Sequence, residues 1–338
     1  VRCRSCGHPA VIDVRRHNAA FCSACFFRHC AEQVRRAIDA FSMMGAGDRV
    51  LVAVSGGKDS LALWDLLTDL GYHADGLYLG LGIEGYSEPS AQPARAFAAR
   101  RGLHLIEIDL PNDLGFDIPT GARAAKRAPC SACGLSKRHL FNAAAVEGDY
   151  DVVATGHNLD DEAAVLYGNV LRWDLAYLGR QLPVLPGGDG FVRKVKPLVR
   201  LSERETAAYC VLKGIDYIVE ECPMAAGNRH LTYKNALNDV EDRSPGTKSA
   251  FYFGFLERIA PLVAGVAEEE RADLHPCPEC GSPTVADRCA FCRLVERAGG
   301  HERRPPAAHL AATQPATRRV TQPATQPATR QPAPGGES

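Results

Sequence analysis

The stretch Val50-Leu-Val-Ala-Val-Ser-Gly-Gly-Lys-Asp-Ser60 constrains this chain more than any other. Five apolar, largely β-branched residues run without alternation, which predicts a strand over 50–54 covered on both faces. The run stops at two glycines, and an apolar helix follows. Gly56 and Gly57 let the backbone turn sharply and bring its N–H groups close to an anion. Lys58 and Ser60 add a charge and a hydroxyl at a helix N-terminus. The stretch therefore predicts a phosphate-binding turn. The G-x-x-x-x-G-K-[ST] spacing of the Walker loop is absent.

From Arg49 the pattern alternates strand and helix: strand 50–54, helix 59–70, strand 74–80, helix 89–101, strand 103–109, helix 134–147, strand 151–155. That rhythm predicts an α/β fold with a doubly wound parallel sheet, whose ligands sit outside the carboxyl ends of the strands. Three polar turns should converge there: Ser55 to Ser60, Gly80 to Gly85, and Thr155-Gly-His-Asn-Leu-Asp-Asp161. Ala53, Ser55, Gly56, Gly57, Lys58, Asp59, Ser60, Gly80, Gly156, Asn158 and Asp161 are the expected nucleotide-binding residues. Magnesium favours one or two carboxylates plus phosphate oxygens, which makes Asp59 and Asp161 ligand or catalytic candidates. Asp160 also fits a helix cap. A loop is expected over 110–129, a helix from Asp161 to about Leu178, and strands at Phe191–Lys196 and Tyr217–Glu220. A further helix starts at Glu203, boxed by Ser202 and Glu205. Residues 228–260 read as helical. Their basic and aromatic residues suit either an RNA grip or a core.

Cysteine spacing is the second constraint. Cys3, Cys6, Cys22 and Cys25 form two C-x-x-C knuckles, and Cys277, Cys280, Cys289 and Cys292 form two more. Each set has the spacing of a zinc ribbon with four thiolates on one tetrahedral ion, so two Zn²⁺ are expected. A segment as short as residues 1–30 cannot bury a core, and the metal supplies its folding free energy. Residues 1–36 also carry seven arginines, Arg2, Arg4, Arg15, Arg16, Arg28, Arg35 and Arg36, against Asp13 and Glu32, a balance suited to an RNA backbone. Cys30 reads as a packed residue at the start of a helix running from about Ala31 to Met44.

Cys130-Ser-Ala-Cys133 opens a helix, where the dipole favours thiolate. Outside the knuckles Cys210 falls in an apolar helical stretch and reads as core, while Cys222 sits at a strand end before Pro223. Cys130, Cys133 and Cys222 suit an iron–sulfur cluster with one unligated iron. A dithiol, a persulfide relay and a third zinc site are the competing readings. Lys137 lies one helical turn past Cys133 on the same face and is a candidate for charge stabilisation or proton transfer.

In 338 residues the net charge is −1, with 46% hydrophobic and 23% charged residues, which excludes a uniformly basic nucleic-acid sleeve. No apolar run approaches the roughly 20 residues of a membrane helix, and no leader opens the sequence, so a cytoplasmic protein without membrane contact is expected. The boundaries read as an N-terminal ribbon 1–30, a linking helix 31–48, a nucleotide domain 49–225, a helical region 226–270, a second ribbon 271–300, and a disordered low-complexity tail 301–338 with three Gln-Pro-Ala-Thr repeats.

Ser55-Gly-Gly-Lys-Asp-Ser60 resembles the PP-loop of ATP pyrophosphatases, and Gly156-His-Asn-Leu-Asp-Asp161 resembles their second signature. Together with the Cys130/Cys133 pair, Gly134, Lys137, Arg138, Cys222 and the paired ribbons, they look like the TtuA branch of the TtcA/TtuA tRNA-thiolation enzymes, from Cys3 to about Cys292. Val165 stands where relatives often have Thr. The resemblance implies a PP-loop fold related to adenine nucleotide α-hydrolases and a [4Fe–4S] cluster on the three cysteines. It also implies ATP-dependent 2-thiolation of the T-loop 5-methyluridine of tRNA (position 54), with Asp59, Lys137 and Asp161 as catalytic residues and ATP, Mg²⁺ and the cluster as cofactors. The implied donor is a small ubiquitin-like carrier with a C-terminal thiocarboxylate. Thiolation of a wobble uridine or an anticodon-loop cytidine, a non-catalytic zinc-ribbon RNA-binding scaffold, and homodimerisation all stay open.

Overall fold

The computed structural model describes residues 1–225, 229–269 and 273–301. The expected tail falls outside the described residues from 302 onward. The chain opens with an antiparallel hairpin, β1 (Ile12–Val14) and β2 (Ala19–Phe21). Asn18 closes its turn at φ 46°, a left-handed conformation that asparagine tolerates. Helix α1 (Ser23–Ala40) follows at once with Cys22 at its N-cap, so the helix begins at Ser23 and not near Ala31. The second knuckle is itself the first turn of the helix. Cys25, Phe26, Cys30, Val34, Ala37 and Ile38 form its buried face, at the spacing of one helical side.

The central unit comprises β3 (Arg49–Val54), α2 (Lys58–Asp69), β4 (His73–Gly80), α3 (Ser87–Arg101), β5 (Leu105–Asp109), α4 (Leu110–Leu114), α5 (Ile118–Ala124), α6 (Pro129–Glu147), β6 (Val152–Thr155), α7 (Leu159–Arg172), α8 (Leu175–Leu178), β7 (Val184–Leu185), β8 (Arg193–Val195) and α9 (Glu203–Lys213). The six strands lie in the order β5-β4-β3-β6-β8-β7. Five run parallel, and β7 pairs antiparallel with β8 at one edge. The chain winds outward from β3 through β4 to β5, then returns through α6 to place β6 on the other side of β3. That reversal opens a crevice at the carboxyl ends of β3 and β6.

Several local expectations are corrected. The supposed loop 110–129 holds α4 and α5, each with an aspartate N-cap (Asp109, Asp117) and a proline in its first turn. Helix α6 starts at Pro129 and not at residue 134, with Cys130 and Cys133 at its N-terminal end, as a C-x-x-C that opens a helix requires. Helix α7 ends at Arg172 because Trp173 turns left-handed at φ 51°; α8 restarts with Asp174 accepting from the Tyr177 N–H. No strand forms at Tyr217–Glu220, where the Ile218 N–H donates to the Gly56 carbonyl and not to a neighbouring strand.

Alternation along β3 splits the core. Val50, Val52 and Val54 face one side with α1, α2, α3 and α9, while Leu51 faces the other with Leu77, Val153 and α6. Beyond α9 come α10 (Arg229–Arg243), α11 (Thr247–Arg258), α12 (Ala260–Glu269), a two-stranded sheet of β9 (His275–Pro276) and β10 (Pro283–Thr284), and α13 (Ala290–Arg297). The N-terminal module packs into the first core, and the C-terminal module contributes Cys277, Cys289, Phe291, Cys292, Leu294 and Val295 to the second. The two modules thus close opposite faces of one sheet. No helix among the described residues is long and apolar enough to cross a membrane.

Glu205 joins the N-terminal module to the sheet domain. Its carboxylate completes the α9 capping box and accepts from Arg16 Nη2 at 2.7 Å and His29 Nε2 at 3.2 Å. Burial alone would raise this carboxyl, but the His29 hydrogen bond, the Arg16 charge and Ser202 outweigh it and hold it at about 2. A depressed folded value contributes stability that is complete above the ordinary carboxyl value of 4.5 and is lost as pH falls from there toward 2. Glu205→Gln strands a buried guanidinium and is expected to cost about 3–5 kcal/mol. Denaturant melts from pH 7 to pH 3 check this. The wild-type loss of stability below pH 4.5 should shrink in the variant, and an unchanged profile would refute the assignment.

Candidate active site

Strand β3 delivers the turn Ser55–Gly57 directly into the first turn of α2. Gly56 is at φ +76°, and an added Cβ would lie 1.8 Å from the Ser90 carbonyl oxygen, so no side chain fits beneath the start of α3. Ser60 Oγ donates to the Gly57 carbonyl at 2.9 Å and accepts from the Ser55 N–H at 3.1 Å, which fixes the curl of the turn. The second signature meets it edge on. At Gly156 an added Cβ would come within 2.9 Å of the Asp59 carbonyl carbon and the Ser60 nitrogen.

These turns border a cavity of about 280 Å³ lined by Ala53, Ser55, Asp59, Ser60, Lys137 and Gly156 among the residues expected from sequence. Tyr78, Tyr86, Ser90, Phe141, Thr155 and His157 line it as well. Of these, Thr155 and His157 stood inside a quoted turn, and Thr155 Oγ1 lies 2.9 Å from His157 Nδ1. Ser90 and Phe141 gave no sequence signal, because each is brought in by the packing of a helix onto the sheet. Gly80 does not line the cavity. It sits within the sheet, where an added Cβ would strike Asp109 Oδ2 at 2.5 Å.

Asp59 is held on both oxygens. Asn158 Nδ2 donates to Oδ1 at 3.0 Å, Thr206 Oγ1 lies 2.5 Å from the same atom, and Lys58 Nζ is 3.0 Å from Oδ2. Lys58 also reaches Glu203 Oε1 at 2.7 Å. Burial lowers the Lys58 ammonium, but the Asp59 and Glu203 carboxylates prevail and raise it. Asp161 does not line the cavity. Its Oδ2 accepts from the Asn158 N–H in the α7 capping box, and its Oδ1 pairs with Lys234 at 2.7 Å. Asp160 is buried; it accepts from the Glu203 N–H and pairs with Lys248. Lys234 and Lys248 therefore answer internal carboxylates and Tyr252 is fully buried, so these residues take the core side of the two readings, while most of α10 is exposed.

The three cluster candidates gather beside this cavity. Cys130 is exposed, Cys133 and Cys222 are half-buried, and Cys130 Sγ donates to the Met224 carbonyl at 3.5 Å. The segment carrying Cys222 is anchored by the Ile218 hydrogen bond to Gly56, which links the sulfur site to the phosphate turn. Burial raises the Cys133 thiol despite Lys137, opposite to the expectation from its helix position. Among the described residues these cysteines are not one of the groups whose ligand atoms converge within 4.8 Å. Cys30 and Cys210 are buried core residues, as expected.

Both ribbon sets do converge within 4.8 Å. Cys6 and Cys22 sulfurs are 3.5 Å apart and Cys280 and Cys289 sulfurs 3.7 Å, close to the edge of about 3.8 Å that a tetrahedral site with Zn–S near 2.3 Å requires. Arg28 donates to Cys25 Sγ at 2.9 Å. Of the seven arginines near the N-terminus, Arg16 is turned inward to Glu205, and Arg35 and Arg36 pair with Glu32. His17, His29 and Glu205 also converge, but the Arg16 guanidinium already satisfies that carboxylate and disfavours a cation.

Residues 2–27 match the family model described as "2-thiouridine synthetase TtuA, N-terminal LIM domain". Over 292 residues, covering 86% of this chain and 90% of the relative, the sequence is 50% identical to a tRNA-5-methyluridine(54) 2-sulfurtransferase of Thermus thermophilus. It is 39% identical over 294 residues to the protein of that name from Pyrococcus horikoshii, covering 87% of this chain and 93% of the relative. Among solved structures, the U34-tRNA thiolase NcsA from Methanococcus maripaludis, determined with its [4Fe-4S] cluster, superposes with a TM-score of 0.71 at 24% identity, over 87% of this chain and 95% of that one. At that identity the likeness shows the shared fold. The identity and coverage of the sequence relatives show more: the chain belongs to the tRNA-5-methyluridine(54) 2-sulfurtransferase family.

Proposed function

We propose that the protein replaces the C2 oxygen of the T-loop 5-methyluridine of tRNA with sulfur, using ATP to turn that oxygen into a leaving group. One observation carries the reading: Asp59 of the phosphate turn and Lys137 of the cysteine-bearing helix line the same cavity. A uracil oxygen leaves poorly. Attack of O2 on the α-phosphorus forms an O-adenylate and expels pyrophosphate; sulfide then adds at C2, and AMP departs with the original oxygen.

In this reading the chain's own groups have separable tasks. The N–H groups of Ser55 to Gly57 and the Lys58 ammonium neutralise phosphate charge that grows as pyrophosphate leaves. Asp59 offers a carboxylate to Mg²⁺ once Lys58 turns to the phosphates. Lys137, on the cavity wall one turn beyond Cys133, stabilises charge at the base or moves a proton there. Asp161 acts at one remove, holding Asn158 and Lys234. A [4Fe–4S] cluster on Cys130, Cys133 and Cys222, when bound, would supply a site for sulfide. The exposed arginines of the N-terminal ribbon suit the RNA backbone, and a thiocarboxylated ubiquitin-like carrier remains the proposed donor. The ribbons, the sheet domain and the helical segment are proposed as successive units of the expected boundaries, with the linking helix beginning at Ser23.

The test is anaerobic incubation of the iron-reconstituted protein with tRNA, ATP and sulfide. Expected are AMP and pyrophosphate release that depends on tRNA, and 2-thiolated 5-methyluridine on nucleoside mass analysis. Thiolation confined to an anticodon base would overturn the substrate assignment. ATP cleavage independent of tRNA, with no thiolated nucleoside, would overturn the reaction.

A further inference from the structure

The phosphate-turn lysine does not stand alone. Lys58 Nζ is 2.7 Å from Glu203 Oε1, the other oxygen of Glu203 is 2.9 Å from Lys234 Nζ, and Lys234 is 2.7 Å from Asp161 Oδ1. The five groups Asp59, Lys58, Glu203, Lys234 and Asp161 alternate in sign and come from α2, α9, α10 and α7. All are at least half covered, with side-chain exposures from 18% for Lys234 to 35% for Glu203. Lys234 is not set there by chance contact of a loose chain. One residue before it, Tyr233 packs so closely on α7 that a Cβ added at Gly168 would meet its ring at 2.6 Å.

We infer that Glu203 and Lys234 form a charge-exchange pair for Lys58: Glu203 holds the lysine while the phosphate site is empty, and Lys234 remains as the counter-cation when Lys58 moves to the triphosphate. The inference rests on the nucleotide reading above. Its logic is electrostatic. Lys58 leaves two carboxylates to bind phosphate, and without Lys234 Glu203 would face the incoming anions uncompensated in a partly buried site. Lys234 therefore positions Lys58 without touching the nucleotide.

The experiment is calorimetric titration of the full-length protein with Mg-ATP in the absence of tRNA. Lys234→Met is expected to weaken binding about tenfold, a coupling of ordinary size between neighbouring sites. Lys234→Arg should stay close to wild type. Glu203→Gln removes the competitor and should bind about threefold tighter or more, and Glu203→Gln combined with Lys234→Met should return to within about threefold of wild type. Lys234→Met binding as tightly as wild type, or a double variant as weak as Lys234→Met, would overturn the exchange. So would weaker binding by Glu203→Gln, a measurement that holds even if Lys234→Met fails to fold. Wild-type protein with no ATP affinity would instead fail the nucleotide reading and take the inference with it, so the two failures are distinct.

Discussion

Cys130→Ala is expected to leave the protein folded and able to bind ATP while tRNA thiolation falls by more than the roughly 10–100-fold that loss of an outer-shell metal partner costs. The side chain is exposed, and its hydrogen bond is a weak thiol contact to the Met224 carbonyl. Removing it creates no cavity, so a folding defect is not expected to account for lost activity. What is removed is one of three cysteine sulfurs placed where α6 meets the Cys222 segment. Iron analysis after anaerobic reconstitution, ATP titration and nucleoside mass analysis read the three consequences separately. Full thiolation by an iron-free Cys130→Ala protein would remove the cluster from the reaction.

The second large effect is expected from Cys289→Ser in the C-terminal ribbon. Cys289 is at once one of four converging sulfurs and the N-cap of α13, where its sulfur accepts from the Cys292 N–H. Structural zinc supplies about 10–16 kcal/mol to the folding of a small finger, and most of that is lost with a ligand. The consequence should not stay local. Phe291 stacks on His139 of α6 at 3.9 Å, and Leu294 and Val295 belong to the core beneath β3 and β4. Zinc content should fall from two ions per chain to one, and protease should cut near α13 well before it cuts the sheet domain. Two zinc ions retained in the variant would show that these sulfurs are not a metal site.

How far the site was legible differs from group to group. The phosphate turn, the second signature and both ribbons were readable because each is local: a few neighbouring residues carry the whole requirement of backbone curl or ligand spacing. The strand 50–54 was readable because continuous apolar character is what burial on two faces demands, and Val50, Leu51, Val52 and Val54 are all buried. Helix ends were read less well. The α1 start at Ser23 was missed because a knuckle reads as loop, although metal ligation and helical geometry are compatible there. The two short helices in 110–129 were missed because Asp109 was read as the end of a strand and Asp117-x-Pro119 as part of a loop, and neither as a cap.

Asp161 shows the limit most clearly. Its motif marked it as a nucleotide or metal residue, yet its oxygens are engaged by the Asn158 N–H and Lys234. Lys234 in turn lay in a segment whose basic residues suited either an RNA grip or a core. A sequence carries the charge of each residue but not the direction in which its helix faces, and α10 is turned so that Lys234 meets Glu203 and Asp161.

By itself the sequence determined the α/β class, the glycine turn from β3 into α2, the two four-cysteine sites and the family, since all of these rest on short-range spacing that any compatible fold must respect. Only the tertiary structure decided which charges share the site. Lys58 meets Glu203, and Asp59 meets Thr206, across more than 140 residues of chain, and the Cys222 segment reaches the phosphate turn through the Ile218 N–H to the Gly56 carbonyl and α6 through Cys130 Sγ to the Met224 carbonyl. Such pairings follow from how helices pack on the two faces of the sheet, and packing is a property of the whole chain at once.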